Sequence, residues 1–212
     1  MILCLSAGLT LLPSSTQAGS KVRCAMLIYG GTHTSRCFSD EFLSVAQKET
    51  TIATERRFKT VKLDADELFE YPFVVMTGEG EFHFTSKERE NLKKYLENGG
   101  FLLASAGCSS DKFKQAFVRE MKAVLPDNEL TDMGMDSPIF RTVYTIESLV
   151  LKSPVGTPKL QALEIGGKTV VVFSPHGLND TANTEGCCCC GGNEIKNSLQ
   201  VNVNILAYAL LY

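Results

Sequence analysis

Apolar residues in this chain gather into short unbroken runs, set apart by glycine and by stretches with helical periodicity. That is the pattern of strands buried on both faces and joined by helices. Cys24 to Tyr29 (CAMLIY) is the first such run and ends at Gly30-Gly31. A helix is expected from about Ser39 to Gln47, with Ser39 as N-cap, Asp40 and Glu41 in the first turn and Phe42 opening the apolar face. Thr60 to Leu63 alternates weakly and predicts a short strand. Phe73 to Met76 (FVVM), entered through Pro72 and closed by Gly78 and Gly80, predicts a second buried strand.

The clearest helix follows. Thr85-Ser86-Lys87-Glu88 is a capping box, Leu92, Tyr95 and Leu96 form one face, and Asn98-Gly99-Gly100 stops it. Phe101 to Ala104 is the next strand run. Ser109 or Ser110 can cap a third helix, whose Phe113, Phe117, Met121 and Leu125 recur every four residues until Pro126. Strand, helix, strand, helix in this order predicts a parallel sheet wrapped by helices. Asp127 to Pro158 reads as a long connection with short elements. Leu160 to Ile165 and Lys168 to Phe173 flank Gly166-Gly167 and predict a β-hairpin. Asn179 to Asn193 is a polar loop rich in glycine and cysteine. Glu194 to Leu211 predicts a closing amphipathic helix through Ile195, Leu199, Val203, Leu206 and Leu210.

The first residues alter the picture of where the chain works. Residues 2 to 12 are an uncharged apolar run, followed by Pro13 and by a small-residue site with Thr16 and Ala18 at −3 and −1. This predicts a signal peptide over 1–18, cut after Ala18, and a single α/β domain over 22–212. The competing reading is a buried first strand or helix. The run is too short to span a bilayer, which takes about 20 apolar residues, so the expected location is the cell envelope, secreted or periplasmic. The formal net charge is −3, with no Lys/Arg stripe, which argues against a nucleic-acid partner.

Of eight cysteines, Cys4 would leave with the signal. Cys24, Cys37, Cys108 and the run Cys187, Cys188, Cys189 and Cys190 remain, and that number is odd. In an oxidising compartment disulfides are the default. At least one thiol must then stay unpaired, bind something or join another chain.

Tyr71-Pro72-Phe73 before a strand ending Thr77-Gly78, then Glu88 to Gly100 (ERENLKKYLENGG) and Phe113 to Pro126 (FKQAFVREMKAVLP), together resemble a bacterial family, the domain of unknown function 4159 family. The match runs from about Val22 to the Val203–Tyr208 stretch. The resemblance implies a three-layer flavodoxin-like, class I glutamine-amidotransferase-like α/β fold. It implies no particular activity. Relatives often carry acidic residues after the strand that follows Gly99-Gly100, where this chain has Ala104-Ser105-Ala106-Gly107-Cys108. A carboxylate-based metal site does not carry over to those positions.

In open parallel sheets ligands bind beyond the carboxyl ends of the strands. Gly30 to Cys37, Gly78 to His83, Ser105 to Ser110 and Pro175 to Asp180 are the loops expected there, and His33, His83 and His176 all fall in or beside them. Three chemistries are open. A binding or interaction module without catalysis, taking a small ligand or an envelope protein, is favoured because no complete nucleophile turn or cofactor fingerprint is present. A thiolate site for Zn(II) or Cu(I), or a redox centre, could use His33, Cys37, Cys187, Cys188, Cys189 and Cys190. Adjacent cysteines point in opposite directions, so four in a row do not suit one ion. Acyl transfer could use Cys108 or Ser105 as nucleophile with His176 as base, by analogy with amidotransferase relatives of the fold. Leu103, two before Ser105, is bulky for a sharp nucleophile turn.

Overall fold

In the computed structural model the described residues are 21–212, apart from 32, 35, 36, 185, 186 and 188–191. The expected signal segment and Cys188, Cys189 and Cys190 therefore lie outside the described residues. The elements in chain order are β1 (Cys24–Ile28), α1 (Glu41–Glu49), β2 (Lys59–Lys62), β3 (Phe73–Gly78), α2 (Ser86–Glu97), β4 (Phe101–Ala106), α3 (Asp111–Val124), β5 (Thr131–Asp132), β6 (Gln161–Ile165), β7 (Lys168–Ser174) and α4 (Ser198–Leu211). They build one seven-stranded sheet in the order β2-β1-β3-β4-β7-β6-β5. Strands β2, β1, β3, β4 and β7 run parallel, whereas β6 is antiparallel to both β7 and β5.

The alternation of side chains along each strand divides the interior into two cores. Ala25, Leu27, Val74, Met76, Leu102, Ala104, Val171 and Phe173 face α2 and α3. Cys24, Met26, Phe73, Val75, Phe101, Leu103 and Val172 face α1 and α4. Both faces are covered, which is why the central strands read as continuous apolar runs. The result is a three-layer α/β sandwich of the flavodoxin-like kind, as expected.

The local signals hold with small shifts. Thr85 caps α2 in a full capping box, and Ser110, one of the two candidates, caps α3. The first helix begins two residues later than Ser39. Asp40 is its N-cap, and Ser39 Oγ instead accepts from the Glu41 amide at 3.2 Å. The last helix starts at Ser198 rather than Glu194, because Ile195 bridges antiparallel to Leu151. Nor is it amphipathic in the structure. Val201 through Ala207 are all buried, since the sheet, α1 and a 3-10 turn at Pro138–Arg141 enclose α4. Of its two buried asparagines, Asn204 bonds the backbone of Val143 and Tyr144, while Asn202 donates to the Leu178 carbonyl and its Oδ1 has no partner among the described residues. His83, between Phe82 and Phe84 in sequence, is exposed. Its Nδ1 lies 3.3 Å from the buried Glu120 carboxylate, which Arg89 also holds at 2.8 Å.

Candidate functional site

The strand order reverses direction between β1 and β3. From β1 the chain goes outward to β2 and then returns to β3 on the other side. Loops leaving the carboxyl ends of β1 and β3 therefore diverge, and a crevice opens between them. It is a cleft of about 240 Å³ lined by Tyr29, His33, Thr34, Gly78, Glu79 and Gly80.

Each wall has a local cause. After β1 the chain turns back on itself, with reciprocal backbone hydrogen bonds between Tyr29 and His33 at 2.8 and 2.9 Å. Gly30 and Gly31 take the positive φ that this turn requires. The His33 ring stacks on Tyr29 with centroids 5.9 Å apart. Tyr29 is buried, donates to the Thr77 carbonyl at 3.0 Å, and has its phenol pKa pushed up by burial. Gly78 is required by this contact, because a Cβ there would stand 2.3 Å from the Tyr29 hydroxyl. The Glu88 carboxylate of the α2 capping box also accepts from the Gly30 amide at 2.7 Å, tying the helix start to the turn.

Beside the cleft, three neighbouring strands end in hydroxyl residues in one register row. Thr77 pairs with Ser105, and Ser105 with Ser174. All three are buried, and the strand alternation directs them to the α1/α4 layer. The segment after β7 roofs the row. Ser105 Oγ donates to Asn179 Oδ1 at 2.5 Å and accepts from the Leu178 amide at 2.8 Å. The Asn179 amide nitrogen donates to Thr77 Oγ1 at 3.1 Å, and the Gly177 amide donates to Ser174 Oγ at 3.0 Å. Asn179 also accepts, through its carbonyl, from the Ser39 amide at 2.8 Å.

The candidate acyl-transfer residues are distributed around this roof. Ser105 is fully buried and both roles of its hydroxyl are taken up as described. Cys108 follows β4 with φ 55°, and Ser109 with φ 56°, two successive left-handed non-glycine residues. Cys108 is disulfide-bonded, and in that state it carries no thiolate. His176 is half-buried. Its carbonyl accepts from Ser109 Oγ at 2.7 Å, and its buried Nδ1 has no hydrogen-bond partner among the described residues. Desolvation, then Lys114 and Lys159, lowers its pKa below the ordinary histidine value.

Of the metal candidates, His33 lines the cleft, while Cys37 is bonded to Cys187 across 150 residues of sequence. Among the described residues no group of three His, Cys, Asp or Glu side chains is placed to hold a metal ion. Among the described residues Cys24 is a free thiol, fully buried in the α1/α4 core, with burial pushing its pKa up to about 12. Sealed in this way, the Cys24 thiol is chemically silent.

One buried group has no place in the sequence reading. Glu194 accepts from Lys152 Nζ at 2.8 Å and from Thr181 Oγ1 at 2.9 Å through Oε2, while its buried Oε1 has no partner among the described residues. Tyr29 and Asn179 were also not singled out by sequence. The available signal was a hydroxyl residue near the end of each otherwise apolar strand, at Thr77 and Ser105.

Sheet order, layering and the switch-point cleft define a flavodoxin-like α/β protein. The chain belongs to the family described as domain of unknown function (DUF4159), whose model matches residues 23–210. A comparison with curated proteins finds no match.

Proposed function

We propose that this protein is a binding module without catalysis, and that its site is the polar cleft between the carboxyl ends of β1 and β3. The observation that carries this reading is the position and lining of the cleft. It lies at the strand-order reversal, where open α/β sheets bind ligands, and its walls are a histidine, a threonine, a glutamate and glycine backbone. At about 240 Å³ it is below the usual range of roughly 300–1,000 Å³ for drug-sized ligands. A small polar ligand with both donors and acceptors suits it. The neighbouring hydroxyl row supports binding over turnover, because Ser105 spends its hydroxyl on bracing the roof. The disulfide Cys37–Cys187 and the expected export signal fit work in the cell envelope, and no described helix is long and apolar enough to cross a membrane.

The test is a library of small polar metabolites screened by amide NMR shifts. A ligand is expected to move Gly78 to Gly80 and His33 together. Gly80→Leu should abolish those shifts, because Gly80 lines the cleft and a Cβ there meets no atom within 4 Å, so the larger side chain fits without disturbing the fold. The melting temperature of the unliganded protein should stay unchanged. Turnover of any bound compound, or shifts that survive Gly80→Leu, would overturn the reading.

A further inference from the structure

We propose that the outer edge of β2 is an interaction surface for an acidic, extended segment of a partner protein, which adds to the sheet as a further strand. This surface is separate from the cleft. The sheet order places β2 at one edge. Leu63, just past the strand, donates to the Ile28 carbonyl at 2.9 Å. In a parallel ladder that register directs the amides and carbonyls of Lys59 and Val61 to β1. The Thr60 amide and carbonyl and the Lys62 amide therefore point outward. The Lys62 carbonyl accepts from the Ala65 amide at 3.1 Å, in the turn that ends the edge. Only Val61 of this strand is buried, whereas Lys59, Thr60 and Lys62 are exposed.

Charge selects the partner. Glu55 to Lys62 holds four basic residues, Arg56, Arg57, Lys59 and Lys62, in a chain whose formal net charge is −3. All four are exposed. Arg57 pairs with Asp40 at 3.0 Å, Lys59 reaches Glu55 only at 4.0 Å, and Arg56 lies on the neutral Gln47 at 3.4 Å. With Asp40 and Glu55 both counted, four positive charges still face two negative ones. The cluster is confined to one strand and its approach, so it matches a single acidic segment rather than a long polyanion. A second copy is the wrong partner. Full antiparallel overlap of two β2 edges sets Lys59 of each opposite Lys62, and like charges directly opposite are destabilising. Lysines on an edge strand thereby block self-pairing, while the same backbone accepts a strand that carries carboxylates.

The experiment is amide exchange followed by NMR on the full chain. It is titrated with a capped octapeptide, Glu-Thr-Val-Glu-Glu-Val-Thr-Glu, and with the same peptide carrying Gln in place of every Glu. Exchange at Thr60 and Lys62 is expected to slow about tenfold with the acidic peptide, while Val61 is protected throughout. Lys59→Gln/Lys62→Gln should weaken binding about tenfold at an unchanged melting temperature. Raising ionic strength from about 0.01 M to about 0.1 M shortens the screening length from about 30 Å to about 10 Å and should weaken it similarly. Failure of the acidic peptide to bind, or equal binding of the Gln peptide, would overturn the proposal. Binding that leaves Thr60 and Lys62 exchanging as before would overturn the added strand. Sedimentation that shows two copies paired through β2 would make a second copy the occupant instead. Attachment to phosphatidylglycerol vesicles that the double variant abolishes, without peptide binding, would make it an anionic membrane.

Discussion

Asn179→Ala probes the roof over the strand ends most directly. Asn179 is 1% exposed, and its side chain serves two buried hydroxyls, accepting from Ser105 and donating to Thr77. Truncation leaves the Ser105 proton without its acceptor and Thr77 Oγ1 without its donor. A buried polar group left unsatisfied costs about 1–3 kcal/mol, so two cost about 2–6 kcal/mol. The lower half applies here, because Ser105 still accepts from the Leu178 amide and the Asn179 backbone keeps its bond to Ser39. We expect a loss of about 3 kcal/mol. For a domain of this size that is roughly 6–12 °C in Tm, taking about 2–4 °C per kcal/mol. Urea unfolding followed by circular dichroism should show a lower midpoint at an unchanged slope. The double variant Ser105→Ala/Asn179→Ala removes both partners together. It should be less destabilised than the sum of the single variants, with a coupling of about 0.5–3 kcal/mol. A loss below about 1 kcal/mol, or strict additivity, would refute the reasoning and mean that the hydroxyl row is hydrated and open to a ligand.

Three further expectations follow from other parts of the molecule. Cys24 should resist iodoacetamide in the native protein at pH 8 and react once the chain is unfolded. With its pKa pushed up to about 12 only about one thiol in ten thousand is ionised there, and fast native labelling would contradict its burial. Gly100→Ala should cost about 1–3 kcal/mol by overpacking, because the new methyl would stand 2.3–2.5 Å from the Tyr95 ring; a chemical melt that matches the unmodified protein would refute that contact. Burial holds the folded His176 pKa below its unfolded value near 6.5, so the unfolded state takes up the proton first. Stability is then fully present above the unfolded pKa and falls as pH drops from there through the lower folded value. His176→Gln should flatten that part of the stability profile between pH 7.5 and 5, and an unchanged slope would exclude His176 as its source.

Much of the architecture was legible in the sequence because local rules and burial agreed. Strands buried on both faces must be apolar throughout, so β1, β3 and β4 stood out as unbroken runs. The Thr85–Glu88 capping box and the four-residue repeat from Phe113 marked α2 and α3 for equally local reasons. Glu194 to Leu211 misled in part. Its apolar positions fitted one helical face, but Asn202 and Asn204 are buried too, and only the loops at Val143, Tyr144 and Leu178 provide the partners that make this tolerable. His83 lies between two phenylalanines in sequence yet is exposed, and only the fold brings its Nδ1 to 3.3 Å from the carboxylate of Glu120, 37 residues later in the chain.

The site divides along the same line. The sequence by itself determined which loops gather at the carboxyl ends of the strands, and that seven cysteines beyond the expected signal cannot all pair. Tertiary structure decided that Cys24 stays a free thiol, because only the packed α1/α4 core seals it away from solvent. It also decided that Cys37 meets Cys187, that Ser105 braces a roof, and that the cleft opens between β1 and β3. Those facts depend on strand order and register, which bring together residues 73 to 150 positions apart. Periodicity and spacing report only on neighbours within a few turns of the chain.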